Sequence, residues 1–586
     1  MNRKFVFMLL GIPVVFLIVL VFIAPAFLVW RPAINYSEAQ VLFTENSTAP
    51  LDASASHQPA CETDNAPDEP PCNPYLAHSS WGISHYGSYA QGSSALPGPR
   101  ADQSFLVDHL DLANVAITYA FSSPYPDGGI AVWGSLLTID GVIVKLDHDS
   151  FSIIDTYNPQ IEEDNLPEQS IGLSGAYTLI DVDNRFVVAR LRSIEVYADS
   201  ISGDRYSGIS LLKRFYLPDN FFCDETDALV GLNMSYDGWV VVVTEKGMVG
   251  LLPRDIEQMS AENMIRYYIN GESCADSNAH RISNNIAVDE DGGIYIVTSR
   301  EMFRLQWDGR KLTQGWQSPY EAGAGNLSAL RIGPGSGSTP SLMGTGADED
   351  KFVVFTDGQE LMHLVLMWRD EIPSDWEPIA PGRDRRIACE FPIRFGDPSQ
   401  ERSLSEQSVL VRGYASILVN NLLQNEPALW KKLPPIAGGL FAVLSGNDPD
   451  QAPHGIERVD WNPETRTCEQ VWVNAEVSVP NGIPTMSERT GLVYAIGQQE
   501  GHWGLAMIDF STGELEQFVE SRQKECSLAA FEQINSLPYR AIMMPVLALN
   551  PDDCENSFFA ATEIGPDGTI YTGTLLGVSK FTPLGP

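Results

Sequence analysis

A short motif recurs about every 54 residues through most of this chain, and it restricts the fold more than any other feature. Each copy is a tight turn followed by a run of Val, Ile, Tyr and Thr, residues that fit a pleated strand. The clear turns are Asp127-Gly128, Asp183-Asn184, Asp237-Gly238, Asp291-Gly292 and Asp567-Gly568, with weaker copies at 348–350, 412–413 and 489–491. A regular series of hairpins predicts an all-β protein, a β-propeller of seven or eight four-stranded blades, with eight favoured.

The N-terminus predicts a membrane anchor. Arg3 and Lys4 precede an uninterrupted apolar run over residues 5–30, and about 20 such residues suffice to cross a bilayer. Basic residues before the run place the N-terminus in the cytoplasm and the body in the periplasm or outside the cell. A cleaved signal peptide, with Ala24-Pro25-Ala26 as its cleavage site, is the alternative, but the run is longer than a signal peptide needs.

The rest of the chain divides into two parts. Residues 32–74 are rich in Ala, Ser, Pro and acidic side chains, a composition typical of a linker. Residues 75–586 form the predicted propeller. We expect loop insertions near 381–405 and 511–556, the second with a helix over residues 515–523.

Charge limits the partners of the propeller. Acidic residues outnumber basic ones by 76 to 37, which gives a net charge of −39. Such a field repels nucleic acid and anionic lipid head groups. The excess is typical of a solvated surface, with a cationic partner as the other interpretation.

Eight cysteines agree with export, because an even number in an oxidising compartment favours disulfides. Proximity along the chain favours the pairs Cys61–Cys72, Cys223–Cys274, Cys389–Cys468 and Cys526–Cys554. Some of the eight could instead be buried thiols.

The blade motif resembles that of the PQQ-like, quinoprotein-type propellers. The resemblance rests on Ser338-Thr339-Pro340-Ser341, on Ala560-Ala561-Thr562 before Asp567-Gly568-Thr569-Ile570-Tyr571, and on residues 283–295. That family includes dehydrogenases and non-catalytic members, such as a lipoprotein of outer-membrane assembly. Its alcohol dehydrogenases carry adjacent cysteines at the cofactor, and no two cysteines are adjacent here. A quinoprotein oxidoreductase is therefore disfavoured, and we expect no such cofactor.

A weaker similarity connects the chain to calcium-dependent lactonases and strictosidine-synthase-like propellers. Val479-Pro480-Asn481-Gly482-Ile483 is similar to their Asn-Gly strand, and Ser283-Asn284-Asn285-Ile286 could supply a second amide. The similarity implies Ca²⁺ in the channel, bound by Asn285, Asn481, Asp357 and Glu563, since oxygen ligands suit this cation. Structural amides that satisfy backbone groups are the other interpretation.

Two histidines, His78 and His85, lie where the chain enters the propeller and are candidates for the mouth of the channel. They could equally be structural. No hydrolase elbow, zinc motif or phosphate loop is present. We therefore predict a binding or scaffold module for an unknown protein, peptide or glycan; the alternative is a calcium-assisted hydrolase or lactonase.

Overall fold

A computed structural model describes residues 68–585, apart from 113–115, 137–140, 160–173, 324–327, 329–330, 332–334, 347–348, 427, 429–441, 444, 447, 522–554 and 576. The predicted anchor, residues 1–31, lies outside this part. Within it, no helix is long and apolar enough to cross a membrane.

The described residues form eight sheets, so the predicted eight-bladed propeller is confirmed. Two strands precede the first complete blade: β1 (Ser93–Ser94) and β2 (Ser104–Asp111). Blades 1 and 2 contain β3 (Tyr119–Phe121), β4 (Ala131–Ser135), β5 (Ile143–Asp147), β6 (Ser152–Tyr157), β7 (Thr178–Ile180), β8 (Phe186–Arg190), β9 (Ser193–Asp199) and β10 (Ile209–Tyr216). Blades 3 and 4 contain β11 (Leu229–Met234), β12 (Trp239–Thr244), β13 (Met248–Pro253), β14 (Ile265–Tyr268), β15 (Ala287–Val288), β16 (Gly293–Val297), β17 (Glu301–Trp307) and β18 (Leu312–Pro319).

The second half repeats this pattern. Blades 5 and 6 contain β19 (Ser341–Met343), β20 (Phe352–Thr356), β21 (His363–Trp368), β22 (Ile387–Pro392), β23 (Leu410–Arg412), β24 (Ala415–Val419), β25 (Ile456–Asn462) and β26 (Thr467–Asn474). Blades 7 and 8 contain β27 (Thr485–Ser487), β28 (Leu492–Gln499), β29 (His502–Asp509), β30 (Leu515–Glu520), β31 (Thr562–Ile564), β32 (Ile570–Thr574) and β33 (Gly577–Leu584). Three-residue 3-10 turns lie at Asp219–Phe221, Gly271–Ser273 and Pro566–Gly568.

The first strand of each blade is innermost. These strands are short and fully buried, whereas most side chains of the outermost strands β6, β14, β18 and β26 are half-buried or exposed. The apolar core lies between neighbouring blades. In one cluster, Val241 of blade 3 packs with Ile286 and Ile296 of blade 4. Face-to-face packing of blades is how a propeller buries both faces of each sheet.

The recurring turns join the first strand to the second, as the motif predicts. In blade 4, Asp289 Oδ1 accepts hydrogen bonds from the N–H groups of Asp291 and Gly293. Gly292 adopts φ +80°, a left-handed conformation that glycine tolerates without a Cβ clash. Asp181 of blade 2 accepts the corresponding bonds from Asp183 and Arg185.

Blade 8 is completed by the N-terminal part of the propeller. Strand β2 pairs antiparallel with β33 from Ser104↔Leu584 to Asp111↔Gly577, as the outermost strand of that blade. Strand β1 pairs parallel with β27 of blade 7. The two ends of the domain therefore close the ring together.

Two of the predicted disulfides are confirmed, Cys223–Cys274 and Cys389–Cys468. The second joins the outermost strands of blades 5 and 6. Cys72 is disulfide-bonded, while Cys61, Cys526 and Cys554 lie outside the described residues.

The helix predicted over residues 515–523 is wrong, because Leu515–Glu520 is β30, the outermost strand of blade 7. Its helical propensity is outweighed by pairing with β29. A blade strand, Ile387–Pro392, also lies inside the insertion expected at 381–405. Residues 522–554 of the other insertion lie outside the described part.

Candidate functional site

The two ends of the disc differ. At one end, which we call the short-turn face, lie the turns that join the first strand of each blade to the second and the third strand to the fourth. At the other end, which we call the long-connection face, lie the connections from the second strand of each blade to the third and from each blade to the next. The four longest connections, residues 158–177, 320–340, 420–455 and 521–561, all begin and end at the long-connection face, as their flanking strands show.

An N-terminal segment, residues 73–94, closes the channel at the short-turn face. Its polar groups bond to the innermost strands of blades 1 to 7, at or near the last residue of each. The backbone carbonyls of Trp81, Gly82, Ser88, Tyr89, Gln91 and Gly92 accept from Phe121, Ile180, Val288, Leu342, Val411 and Met486 at 2.7–3.2 Å. Asn73 Nδ2 donates to Met234 O at 2.8 Å.

His85 projects from this segment into the channel and is 2% exposed. Its Nε2 lies 3.4 Å from Ser408 Oγ and 3.5 Å from Thr339 Oγ1, at the long end of the hydrogen-bond range. Its ring centroid lies 6.0 Å from that of Tyr177. Three different blades therefore supply the polar groups around one histidine.

The electrostatics of this group follow from burial. Desolvation lowers the pKa of His85 to about 4, so the ring is neutral at pH 7. Its Nδ1 has no hydrogen-bond partner among the described residues. A neutral imidazole at this point can accept or donate one further hydrogen bond.

The backbone at His85 is strained. His85 and Tyr86 have φ of +61° and +56°, and Gly87 follows with +76°. Non-glycine residues in this region cost on the order of 1 kcal/mol each and occur often at functional sites. The strain is compensated by the bonds that hold the segment on both sides of His85.

His78, the other predicted channel residue, is exposed, and its backbone N–H donates to Ser123 Oγ at 2.9 Å. The structure therefore separates the two histidines. Only His85 lies in the channel.

The two predicted amide ligands connect neighbouring blades. Asn285, before the first strand of blade 4, accepts from the Leu232 N–H of blade 3 at 2.8 Å. Asn481, before blade 7, accepts from Ser557 Oγ at 3.0 Å, and its Nδ2 has no partner among the described residues.

The two predicted carboxylates are placed elsewhere. Asp357 lies in the turn after β20 and accepts from the His363 N–H and from Gln359 Nε2. Glu563, on β31, accepts from the Tyr119 N–H of blade 1 at 3.0 Å. Burial raises the pKa of Glu563 well above its usual range, because a single backbone donor compensates poorly for lost water.

Within the described residues, no group of three or more His, Cys, Asp or Glu side chains is arranged to hold a metal ion. Calcium in the channel stays a prediction. The four predicted ligands each have a partner of their own, and three of them connect one blade to the next.

Tyr177, Thr339 and Ser408 were not predicted to surround the channel. Each lies one or two residues before the first strand of its blade. The small-small-Pro pattern at Ser338-Thr339-Pro340 marks the start of a blade in the sequence. Nothing in the sequence indicates that His85 lies beside such a position.

No model of a known protein family matches the sequence. An uncharacterized protein of Archaeoglobus fulgidus is 41% identical over 515 residues, which cover 88% of this chain and 89% of that protein.

Solved structures resemble the chain weakly. They include quinohemoprotein alcohol dehydrogenase from Comamonas testosteroni (TM-score 0.49, 11% identity, 86% of this chain and 80% of that one). BamB from Moraxella catarrhalis gives a TM-score of 0.39 at 11% identity, over 82% of this chain and 96% of that one. The eight sheets of the described residues agree with the architecture that the repeated motif predicts.

Proposed function

This chain belongs to the same family as the uncharacterized Archaeoglobus fulgidus protein, and we propose that it is a membrane-anchored binding module outside the cytoplasm. The partner, a protein, peptide or glycan, binds the long-connection face. The observation that carries this proposal is that the four longest connections all begin and end at that one face. Binding residues are concentrated on such connections when a rigid scaffold positions them.

The closed channel end supports the same orientation. Because residues 73–94 bond to seven innermost strands, the short-turn face is a structural base rather than an opening. A rigid base lowers the entropy cost of holding the opposite face in a binding conformation.

The path of the chain below residue 73 adds a second support. Glu69 pairs with Arg412 at 2.8 Å, and Tyr236 OH donates to Pro71 O at 2.8 Å. Arg412 and Tyr236 lie at short turns, so the chain reaches the propeller at the short-turn face. In this proposal, the anchor at residues 1–31 is connected to the propeller at its short-turn face.

Charge reversal on one face at a time tests the proposal. Asp450 and Glu500 are exposed on the long-connection face; Asp308 and Glu464 are exposed on the short-turn face. Each pair is changed to lysine in the full chain, which is then purified from its own membranes with its partners quantified by mass spectrometry. We expect Asp450→Lys/Glu500→Lys to reduce partner recovery at least tenfold, with Asp308→Lys/Glu464→Lys within twofold of the unmodified chain. Equal recovery from both variants would contradict the proposal.

A further inference from the structure

A cavity of about 510 Å³ opens on the short-turn face of blade 3. Its lining combines Tyr75 of the N-terminal segment, Trp239 at the start of β12, and residues of the loop 254–264 that joins β13 to β14. Pockets for small organic ligands span about 300–1,000 Å³, so this one is large enough for such a ligand.

Tyr75 is held in place from several sides. Its backbone N–H donates to Asn73 Oδ1 at 3.0 Å, and its carbonyl accepts from the Val182 N–H at 3.0 Å. The ring lies against Gly238, where a Cβ would come within 2.9–3.1 Å of three ring carbons. The Arg254 guanidinium lies 5.7 Å from the ring centre. Glycine at position 238 therefore leaves the space that the ring occupies.

Trp239 is the second aromatic side chain of the lining and is also fixed. Its backbone N–H donates to Ser235 Oγ at 2.8 Å. Its ring centre lies 5.2 Å from that of Trp307 in an edge-to-face contact, and the Trp307 indole N–H donates to Asp237 Oδ2 at 2.7 Å. Both lining rings are half-buried and held by the fold before a ligand binds, which lowers the entropy cost of binding.

The loop 254–264 is anchored on the blade. It is longer than the corresponding turn of blade 4, residues 308–311. Met259 and Met264 are buried in the apolar cluster that blades 2 and 3 share. Two apolar side chains thus fix the loop as a support for the polar residues around them.

These polar residues supply hydrogen-bond acceptors to the cavity. Four exposed side chains of the loop belong to the lining: Asp255, Gln258, Glu262 and Asn263. In both amides the nitrogen is used inside the loop, since Gln258 Nε2 donates to Asp255 Oδ2 at 3.1 Å and Asn263 Nδ2 donates to Gln258 O at 2.8 Å. Neither amide oxygen has a donor among the described residues.

The charges of the lining disfavour ionic ligands. Asp255 and Glu262 repel an anion, as does the net charge of −39. A cation meets the Arg254 guanidinium, which lies over Tyr75 and is held there by Asp181 at 2.8 Å. Aromatic surface beside acceptors suits a neutral ligand with an apolar face and hydroxyl donors. A sugar ring has both, because its C–H groups pack on an aromatic ring and its hydroxyls donate to carboxylate and amide oxygens.

The geometry points to a saccharide site on the short-turn face of blade 3. A sugar ring packs on the aromatic side chains of the lining, and its hydroxyls donate to Asp255, Gln258 and Glu262. This ligand is additional to the partner proposed for the long-connection face. The same chemistry is offered by the head group of a glycolipid and by a free saccharide.

Titration of the full chain, followed by ligand-observed NMR, tests the site. The chain is solubilised in a detergent without a sugar head group, because a maltoside would compete. The probes are the methyl glycosides of glucose, galactose, mannose and N-acetylglucosamine, with tetramethylammonium and inorganic phosphate as the cationic and anionic controls. We expect saturable binding of at least one glycoside and of neither ion.

Lipid nanodiscs separate the two sources of the sugar. The full chain is placed in discs with and without a glycolipid that carries the same sugar as the methyl glycoside that binds. Loss of methyl glycoside binding in the glycolipid discs assigns the site to a lipid head group, and unchanged binding assigns it to a free saccharide. Both results support the saccharide chemistry.

Matched variants connect binding to the cavity. Trp239→Leu removes aromatic surface and should weaken binding of the glycoside about tenfold, as expected for a tryptophan at the centre of a contact. Tyr206→Leu, at an exposed aromatic side chain on the short-turn face of blade 2, should leave the dissociation constant within about twofold. Gln258→Ala/Glu262→Ala changes two exposed side chains and should also weaken binding about tenfold. Thermal unfolding checks the fold of each variant.

Three results would overturn the inference: no saturable binding of any glycoside, equal weakening by Trp239→Leu and Tyr206→Leu, or binding of tetramethylammonium or phosphate without binding of a glycoside. None of them depends on the partner-recovery experiment. If the glycosides fail but recovery still depends on the long-connection face, the saccharide site is wrong and the proposed function stands. If a glycoside binds but recovery depends on neither face, the proposed function fails and the site stands.

Discussion

The short-turn and long-connection faces are built from the same strands but are stabilised differently. On the short-turn face, side-chain caps such as Asp181 and Asp289 recur in several turns, and the N-terminal segment covers the channel. On the long-connection face, longer segments are held by individual contacts, such as the Arg331–Glu406 ion pair at 3.2 Å. Repetition therefore stabilises one face, while the other carries features found in a single blade.

The largest expected effect comes from a substitution in the segment that closes the short-turn face. Trp81 is 1% exposed and belongs to a buried apolar cluster that also contains Val132, Leu505 and Ile570, of blades 1, 7 and 8. We expect Trp81→Ala to lower the free energy of unfolding by about 3–5 kcal/mol, because a large buried side chain leaves a cavity. Denaturant unfolding measures it, with Tyr206→Ala, at a side chain 58% exposed, as the control. A loss no larger than that of the control would show that the segment is not part of the base.

A somewhat smaller effect is expected from the disulfide that links two connections of the long-connection face. Cys223 and Cys274 are separated by 51 residues, and neither lies in a strand. Replacing both by serine should cost about 2–4 kcal/mol, since the cross-link restricts the unfolded chain.

Hydrogen exchange shows which residues lose protection when the disulfide is removed. We expect faster exchange after the Cys223→Ser/Cys274→Ser change in residues 217–228 and 269–286, and unchanged protection in the turn at 235–238. The matched change at Cys389 and Cys468, in β22 and β26, should instead affect the outer edges of blades 5 and 6. Faster exchange spread evenly over both faces would contradict the contrast between them.

The third prediction concerns the pH dependence of stability through one buried carboxyl group, that of Glu457. Glu457, at the start of β25, accepts from the Phe395 N–H at 2.7 Å, and burial raises its pKa to about 7. Its folded pKa is above the unfolded value of about 4.5, so its stabilising contribution is complete below pH 4.5 and is lost as the pH rises through 7. Glu457→Gln should therefore stabilise the protein by about 2–3 kcal/mol at pH 8 and change little at pH 4.5.

Unfolding at both pH values measures this difference, with Glu464→Gln on the exposed short-turn face as the control. A gain for Glu457→Gln that is the same at pH 4.5 and pH 8 would mean that the side chain is already charged in the folded protein.

The smallest effect distinguishes a structural amide from a calcium ligand. Asn285→Ala removes the acceptor for the buried Leu232 N–H and should cost about 1–2 kcal/mol. We expect the same loss in two solutions: one with calcium at about 1 mM, on the order of physiological extracellular levels, and one with a calcium chelator. A loss that appears only in calcium would make Asn285 a metal ligand.

The sequence predicted the architecture well because the fold depends on local chemistry. Asp127, Asp237 and Asp567 mark turns that any chain with the same motif would form, and these repeated often enough to favour eight blades. The closure was not predictable in this way, since nothing in residues 104–111 shows that they pair with residues 577–584. The strand Leu515–Glu520 was missed because its local propensity favours a helix and only its neighbour β29 determines its state.

Site residues were predictable only in part. His85 was a candidate because it lies where the chain enters the propeller, but its neighbours Thr339 and Ser408 come from blades 5 and 6 and have no common local pattern. The cavity lined by His454, Glu476 and Gln498 likewise combines residues from a hairpin and from two connections. Such sites depend on how blades are arranged in space, and this information is absent from a single strand or turn.

The account depends most on the claim that recognition takes place on one face. Photo-crosslinking amino acids placed singly at Asp450 and Glu500, and at Asp308 and Glu464, test it in membranes that hold the full chain. We predict crosslinked partner from the first two positions and none from the other two. Crosslinks to the same partner from Asp308 or Glu464, with none from the long-connection face, would contradict the account.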